Sequence, residues 1–110
     1  MAFRIGTHPR VKTRVKLRFE VDGEMQDHEF GATFRILPMS RSAEDDMRVE
    51  SRQVSFLTEA IVGFDDLVDD AGQPEPFTPE LVAAMLDRPE VRTPLIAAYF
   101  EAFQKAAAGN

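Results

Sequence analysis

Few side chains in this 110-residue chain are equipped for chemistry. It holds two histidines, His8 and His28, and no cysteine. The absence of Cys excludes a thiol nucleophile, a Cys-ligated zinc site and a disulfide framework. His28 precedes Glu29, but adjacent residues of an extended segment point to opposite faces, so the two cannot act as base and orienting carboxylate. His28 reads instead as a rim histidine on the apolar side of a strand. Four acids, Asp65, Asp66, Asp69 and Asp70, invite a calcium reading. A calcium loop needs acids at positions 1, 3 and 5 with Gly at 6. Counted back from Gly72, those positions are Leu67, Asp69 and Ala71, so the spacing fails and the four read as a solvated acidic loop. No GxSxG, P-loop or GxGxxG run is present, and no serine has a base in any recognisable motif. The expectation is a chain that is not an enzyme, with no catalytic residue, no metal and no cofactor.

The remaining charge is unevenly distributed. Residues 1–19 hold six basic residues (Arg4, Arg10, Lys12, Arg14, Lys16, Arg18) and no acid. The rest of the chain carries −12, for a net charge of −6. Such a split marks either a basic arm for nucleic acid or two segments that neutralise each other. From Arg10 to Phe19 every even position is basic, and the odd positions are Val11, Thr13, Val15, Leu17 and Phe19. That period of two predicts a half-buried strand rather than a disordered arm. Asp22-Gly23 follows, the residues a type I′ hairpin turn prefers. The turn fixes the register. Arg18 then faces Asp27, Lys16 faces Glu29, Val15 meets Phe30, Leu17 meets His28 and Val11 meets Phe34. Arg10, Lys12 and Arg14 face Arg35, Thr33 and Gly31 and are left without acids. They are either a solvated face or a contact surface for an acidic partner. No aromatic residue interleaves the basic ones on their face and the whole chain is acidic, so nucleic acid is not expected.

The elements around this hairpin are helical. Pro38 ends the second strand, predicted over about 25–37 after a first strand at 10–21. Ser40 or Ser42 offers an N-cap, with Glu44, Asp45 and Asp46 in the first turn. Met47, Val54, Leu57 and Ile61 then form an apolar stripe, so the spacing predicts a helix over 43–62, weakest near Ser51 to Gln53 and ended by Gly63. Residues 63–78 read as a turn-rich connector with a tight turn, and a small hairpin around it, at Asp69-Asp70-Ala71-Gly72. Thr78 caps a helix over 79–87 with Pro79 at its first position. A last helix is predicted over 93–106, starting at Thr93-Pro94, with Glu90 to Arg92 as a preceding turn. The fold class is α+β: an N-terminal antiparallel hairpin packed on three helices, one domain over 1–110. The composition, 44% hydrophobic and 29% charged, is that of a globular chain able to bury a modest core without staples. No apolar run approaches the ~20 residues of a membrane span, and the N-terminus lacks a signal-peptide apolar region. A cytoplasmic location and no membrane partner are expected.

Nine of the 110 residues are Phe. Leu95, Ile96, Tyr99, Phe100 and Phe103 span more of the last helix than one core stripe requires. Part of that face is therefore a candidate protein-binding surface, alongside Arg10, Lys12 and Arg14.

The stretch from Ile61 to Phe103 is similar to the tail assembly chaperones of long-tailed, siphovirus-like phages and prophages. Their pattern runs Gly-Trp, a short acidic strand, Asp-Gly, Pro-Phe-Ser/Thr, a Leu-rich helix, a Pro, an apolar-Arg pair and Ala-Tyr-x-x-Ala. Here it reads Gly63-Phe64, Asp65 to Asp70, Asp70-Ala71-Gly72, Pro76-Phe77-Thr78, Leu81, Pro89, Val91-Arg92 and Ala98-Tyr99-Phe100-Glu101-Ala102. Phe64 stands where Trp is usual, and Pro94 falls inside the last helix. The resemblance implies a non-catalytic protein of the bacterial host cytoplasm, absent from the finished virion. It would bind the helical tape measure protein, keep it from aggregating and help recruit tail tube subunits. Self-association is a further possibility. A structural tail-completion or head–tail connector protein is the alternative reading, and a small nucleic-acid-binding regulator a weaker one.

Overall fold

The computed structural model describes residues 1–44 and 46–109, without the side chains of Ala43 and Glu44. Strand β1 (Arg10–Val21) and strand β2 (Glu24–Arg35) form the hairpin. Asp22 and Gly23 have φ of 51° and 85°, the left-handed pair a type I′ turn requires. The register is the one the turn dictates, from Val21↔Glu24 through Arg18↔Asp27 and Val15↔Phe30 to Arg10↔Arg35. One face of β1 is apolar and turned to the core, with Val15 and Leu17 buried. The other presents the basic row.

Past Pro38 the expected single helix over 43–62 is replaced by two helices and a strand. Helix α1 (Met39–Glu44) is short, and helix α2 spans Glu50–Ala60. Ser40 and Ser42 sit inside α1 rather than capping it. Asp46 lies in the gap, where its carboxylate accepts the backbone N–H of Arg48 at 3.0 Å. Such a local side-chain bond competes with helical hydrogen bonding. The weak point is therefore N-terminal to Ser51–Gln53, which are helical. Asp45, expected in a first helical turn, lies outside the described residues.

Strand β3 (Ile61–Asp65) is the main departure from the sequence pattern. It pairs antiparallel with β2, Gly31 opposite Asp65 and Thr33 opposite Gly63, giving the sheet order β1-β2-β3. Ile61 continues the helical stripe of α2 in spacing, and Gly63 looks like a helix stop, so the five-residue strand that contains both is hidden. Beyond β3, Val68 and Pro74 form an isolated bridge around the expected turn. The Asp69 carboxylate accepts the N–H groups of Ala71 and Gln73, both at 2.9 Å.

Helix α3 (Pro79–Leu86) starts as expected: the Thr78 hydroxyl accepts the Leu81 N–H at 3.1 Å, and Pro79 follows the cap. Helix α4 (Pro89–Ala108) begins four residues earlier than expected, so Glu90 to Arg92 are its first turn and Pro94 lies within it. Pro89 supplies the preorganised first position. Pro94 removes only the N–H that would reach the Glu90 carbonyl, one bond near the helix start. Gly109 closes the helix with φ 77°, and Asn110 lies outside the described residues. Helix α4 packs chiefly on β1, while β3, α2 and α3 complete one continuous core. Tyr99 sits at its centre. Its ring meets Phe34 and Phe56 edge-to-face, at 5.6 and 4.8 Å, and its hydroxyl accepts the Leu37 N–H at 3.1 Å. Burial raises the Tyr99 pKa, partly offset by that hydrogen bond.

Candidate functional site

The basic row of β1 meets more acids than its register across β2 suggested. Lys12 Nζ lies 2.6 Å from Asp65 of β3. Arg14 Nε lies 2.8 Å from Glu29, and its Nη1 2.6 Å from Asp66. The hydrogen bond to Glu29, then that to Asp66, raises the Arg14 pKa further. Lys12 and Arg14 are therefore not unpaired, as the hairpin alone implied. Lys12 takes Asp65 at the end of β3, and Arg14 takes Asp66 just beyond it together with Glu29 of β2; the sequence pattern hid the strand that brings Asp65 and Asp66 there. Gly31 makes the bridge possible. A Cβ there would lie 3.2 Å from Asp65 Cβ and 3.3 Å from Arg14 Nη1. With no side chain on the middle strand, residues of the two outer strands meet across it.

Three basic residues are left over. Glu29 is engaged by Arg14, so among the described residues Lys16 pairs with no carboxylate although it stands opposite Glu29. Arg10 faces Arg35 and likewise has no carboxylate partner among them. Arg18 reaches Asp27 only loosely, at 3.7 Å, with both side chains exposed.

The five apolar residues of α4 divide by burial. Leu95 and Tyr99 are core residues, at 0% and 2% exposure. Ile96 and Phe103 are half-buried, and Phe100 is exposed. Ile96, Phe100 and Phe103 follow the i, i+4, i+7 spacing of one stripe, so the accessible apolar surface of α4 is narrower than the sequence pattern and centres on Phe100.

A second apolar surface was missed. A groove of about 420 Å³ runs between the hairpin, the 66–75 segment and α3. Leu17, Phe19, Leu67, Leu81 and Met85 line it, with Glu75 and Arg88 among its polar residues. Exposed Val68 belongs to the same groove. Nearby, exposed Phe77 packs edge-to-face on Phe64, 5.6 Å away. The available signal was Phe77 itself, a large aromatic residue between Pro76 and a helix cap.

Arg92 is likewise hidden in the sequence, where it resembles any surface arginine. Only 7% exposed, it donates from Nη1 to the Leu86 carbonyl at 2.8 Å and from Nε to Gln53 at 3.1 Å, with Glu50 3.4 Å from Nη2. The cation sits at the C-terminal end of α3, where the helix dipole favours it, and clamps α2, α3 and α4 together.

The chemistry-bearing residues lie apart from one another. His28 stacks on Phe19 with ring centroids 5.0 Å apart, and its Nε2 lies 3.1 Å from the Gln26 amide oxygen. His8 is exposed near the start of β1. Asp69 serves its own turn, while Asp65 and Asp66 serve Lys12 and Arg14. Among the described residues no group of three or more His, Cys, Asp or Glu could hold a metal ion, and no helix is long and apolar enough to cross a membrane. What the surface offers is apolar and charged contact area. Compared with family models, curated proteins and solved structures, the chain matches none.

Proposed function

We propose that this protein is a non-catalytic tail assembly chaperone of a siphovirus-like phage or prophage, which binds the tape measure protein and helps recruit tail tube subunits in the host cytoplasm. The observation that carries the reading is the ordered motif series from Gly63-Phe64 to Ala98-Tyr99-Phe100-Glu101-Ala102. The roles of these residues in the fold are compatible with it. Phe64 is in β3, Asp69 to Gly72 form a turn, Thr78 caps α3 and Arg92 locks α4 to α3. Such a chaperone must shield long apolar-striped helices without itself precipitating. A net charge of −6 provides the solubility. Exposed Phe100, flanked by half-buried Ile96 and Phe103, provides apolar contact area.

The test is co-expression with a tape measure fragment. Phe100→Asp, at an exposed position, leaves the fold intact and reduces the fragment kept in solution. Phe103→Asp does the same at a lower thermal stability, because Phe103 is half-buried. Unchanged capture by a folded Phe100→Asp variant would reject this surface. Recovery of the protein from purified virions would reject the chaperone reading in favour of a tail component.

A further inference from the structure

The outer edge of β1 is twelve residues long, and among the described residues no strand pairs with it. Its two-residue turn makes Val21 and Glu24 a hydrogen-bonded pair, so by alternation the odd-numbered residues of β1 direct their amides and carbonyls to β2. The even-numbered residues, Arg10 to Arg18, direct theirs outward. Every outward-facing peptide group in that stretch thus belongs to a residue with a cationic side chain. Three of these cations, Arg10, Lys16 and the loosely held Arg18, lack a close carboxylate among the described residues. Beside the edge, helix α4 supplies a floor. A groove of about 470 Å³ lies there, lined by Arg14, Val15 and Lys16 from the strand and by Pro94, Ala97 and Glu101 from the helix.

We propose that this edge docks an extended acidic segment of another protein, which adds to the sheet as a fourth strand. Residues of the incoming strand directly opposite Arg10, Lys16 and Arg18 share their face of the sheet, so carboxylates at alternate positions meet those cations. The intervening side chains point to the α4 side, where Pro94 and Ala97 leave room for small apolar residues such as Ala, Val or Thr. A second copy of this chain does not suit the site. Pairing β1 with β1 across a two-fold axis sets basic residues against basic ones. This proposal is independent of the tape measure reading, which places its contacts on the far-side apolar stripe of α4.

The probe is the blocked peptide Ala-Glu-Val-Glu-Thr-Glu-Val-Glu-Ala, with a control carrying Lys at every Glu. Titrated into isotopically labelled protein, the acidic peptide shifts the amide signals of Lys12, Arg14, Lys16 and Arg18 and protects them from hydrogen exchange. The control shifts none of them, and added salt weakens binding. Lys16→Pro removes one outward N–H without touching the β1–β2 ladder, and raises Kd about tenfold or more. Lys16→Glu keeps the N–H, weakens the acidic peptide and binds the Lys control better than the parent protein does. Three results overturn the proposal: no shifts at millimolar acidic peptide, which leaves the basic row as a guard against edge pairing; shifts confined to Phe100 and its neighbours; or protection of the edge amides by dimerisation without peptide.

Discussion

The two halves of the hairpin share one strand pattern and have different fates. In β1 every even residue from Arg10 to Arg18 is basic and, Thr13 apart, the odd residues from Val11 to Phe19 are apolar. In β2 the residues from Phe30 to Arg35 are buried or half-buried, whereas Glu24 to Glu29 are all exposed. The boundary coincides with the reach of β3, which pairs only with Gly31 to Phe34. The proximal half thus has a strand on its flank and a core beneath it. The distal half projects. Twelve strand residues span about 40 Å at ~3.4 Å each, most of the molecule's 52 Å length. Alternation states which face a residue takes. Depth of burial is set by which elements lie over that face, and these come from elsewhere in the chain.

The sharpest test of this contrast is a matched pair of substitutions on one face of the hairpin. Phe30→Ala, at a 2% exposed proximal site, is expected to cost about 3–5 kcal/mol. Phe19→Ala, half-buried against His28 on the distal half, is expected to cost about 1 kcal/mol. Urea titrations of both variants check this, and equal costs would break the distinction. Gly31→Val probes the boundary itself. The new side chain displaces Arg14 and Asp65, and the expected loss is about 1–3 kcal/mol, with weaker hydrogen-exchange protection in β3. A proximal gain should come from Thr13→Val. The Thr13 hydroxyl is buried without a hydrogen-bond partner among the described residues, so an apolar side chain of the same shape is expected to raise stability by roughly 1 kcal/mol in thermal melts.

The smallest effect is that of pH on two local pairs outside the hairpin. The hydrogen bond from Arg88 holds the Glu90 carboxyl below its ordinary range, and that from Arg48 does the same for Asp46. Both pKa values are lowered by folding, so the pairs contribute at neutral pH. Their contribution is lost as pH falls below the ordinary carboxylate range and through the folded-state values. Both pairs are open to water, and Glu90→Gln should flatten the acid limb of a stability–pH curve only slightly.

What could be read from the sequence was what is encoded locally. Asp22-Gly23 and the period of two fix twelve cross-strand pairs, and Thr78-Pro79 marks the start of α3. Features that depend on tertiary contact escaped. Strand β3 is five residues long with a glycine inside it, and it becomes a strand because β2 offers it an edge. Arg92 becomes a core residue because the end of α3 lies beside it. The candidate site followed the same rule. The basic row and the α4 stripe were visible as patterns, but whether Lys12 or Tyr99 was available to a partner depended on β3 and on the core.

The packing of α4 on β1 also has a consequence for how the chain is made. The hairpin can form as soon as it leaves the ribosome, since its contacts are local. Its apolar face stays bare until the helix that covers it has been synthesised. The Leu37–Tyr99 hydrogen bond alone joins residues 62 apart. The nascent chain therefore carries an exposed sheet of Val15, Leu17, Phe30 and Phe34 until α4 has followed it, so its hazard of sticking to neighbours is greatest before that helix closes.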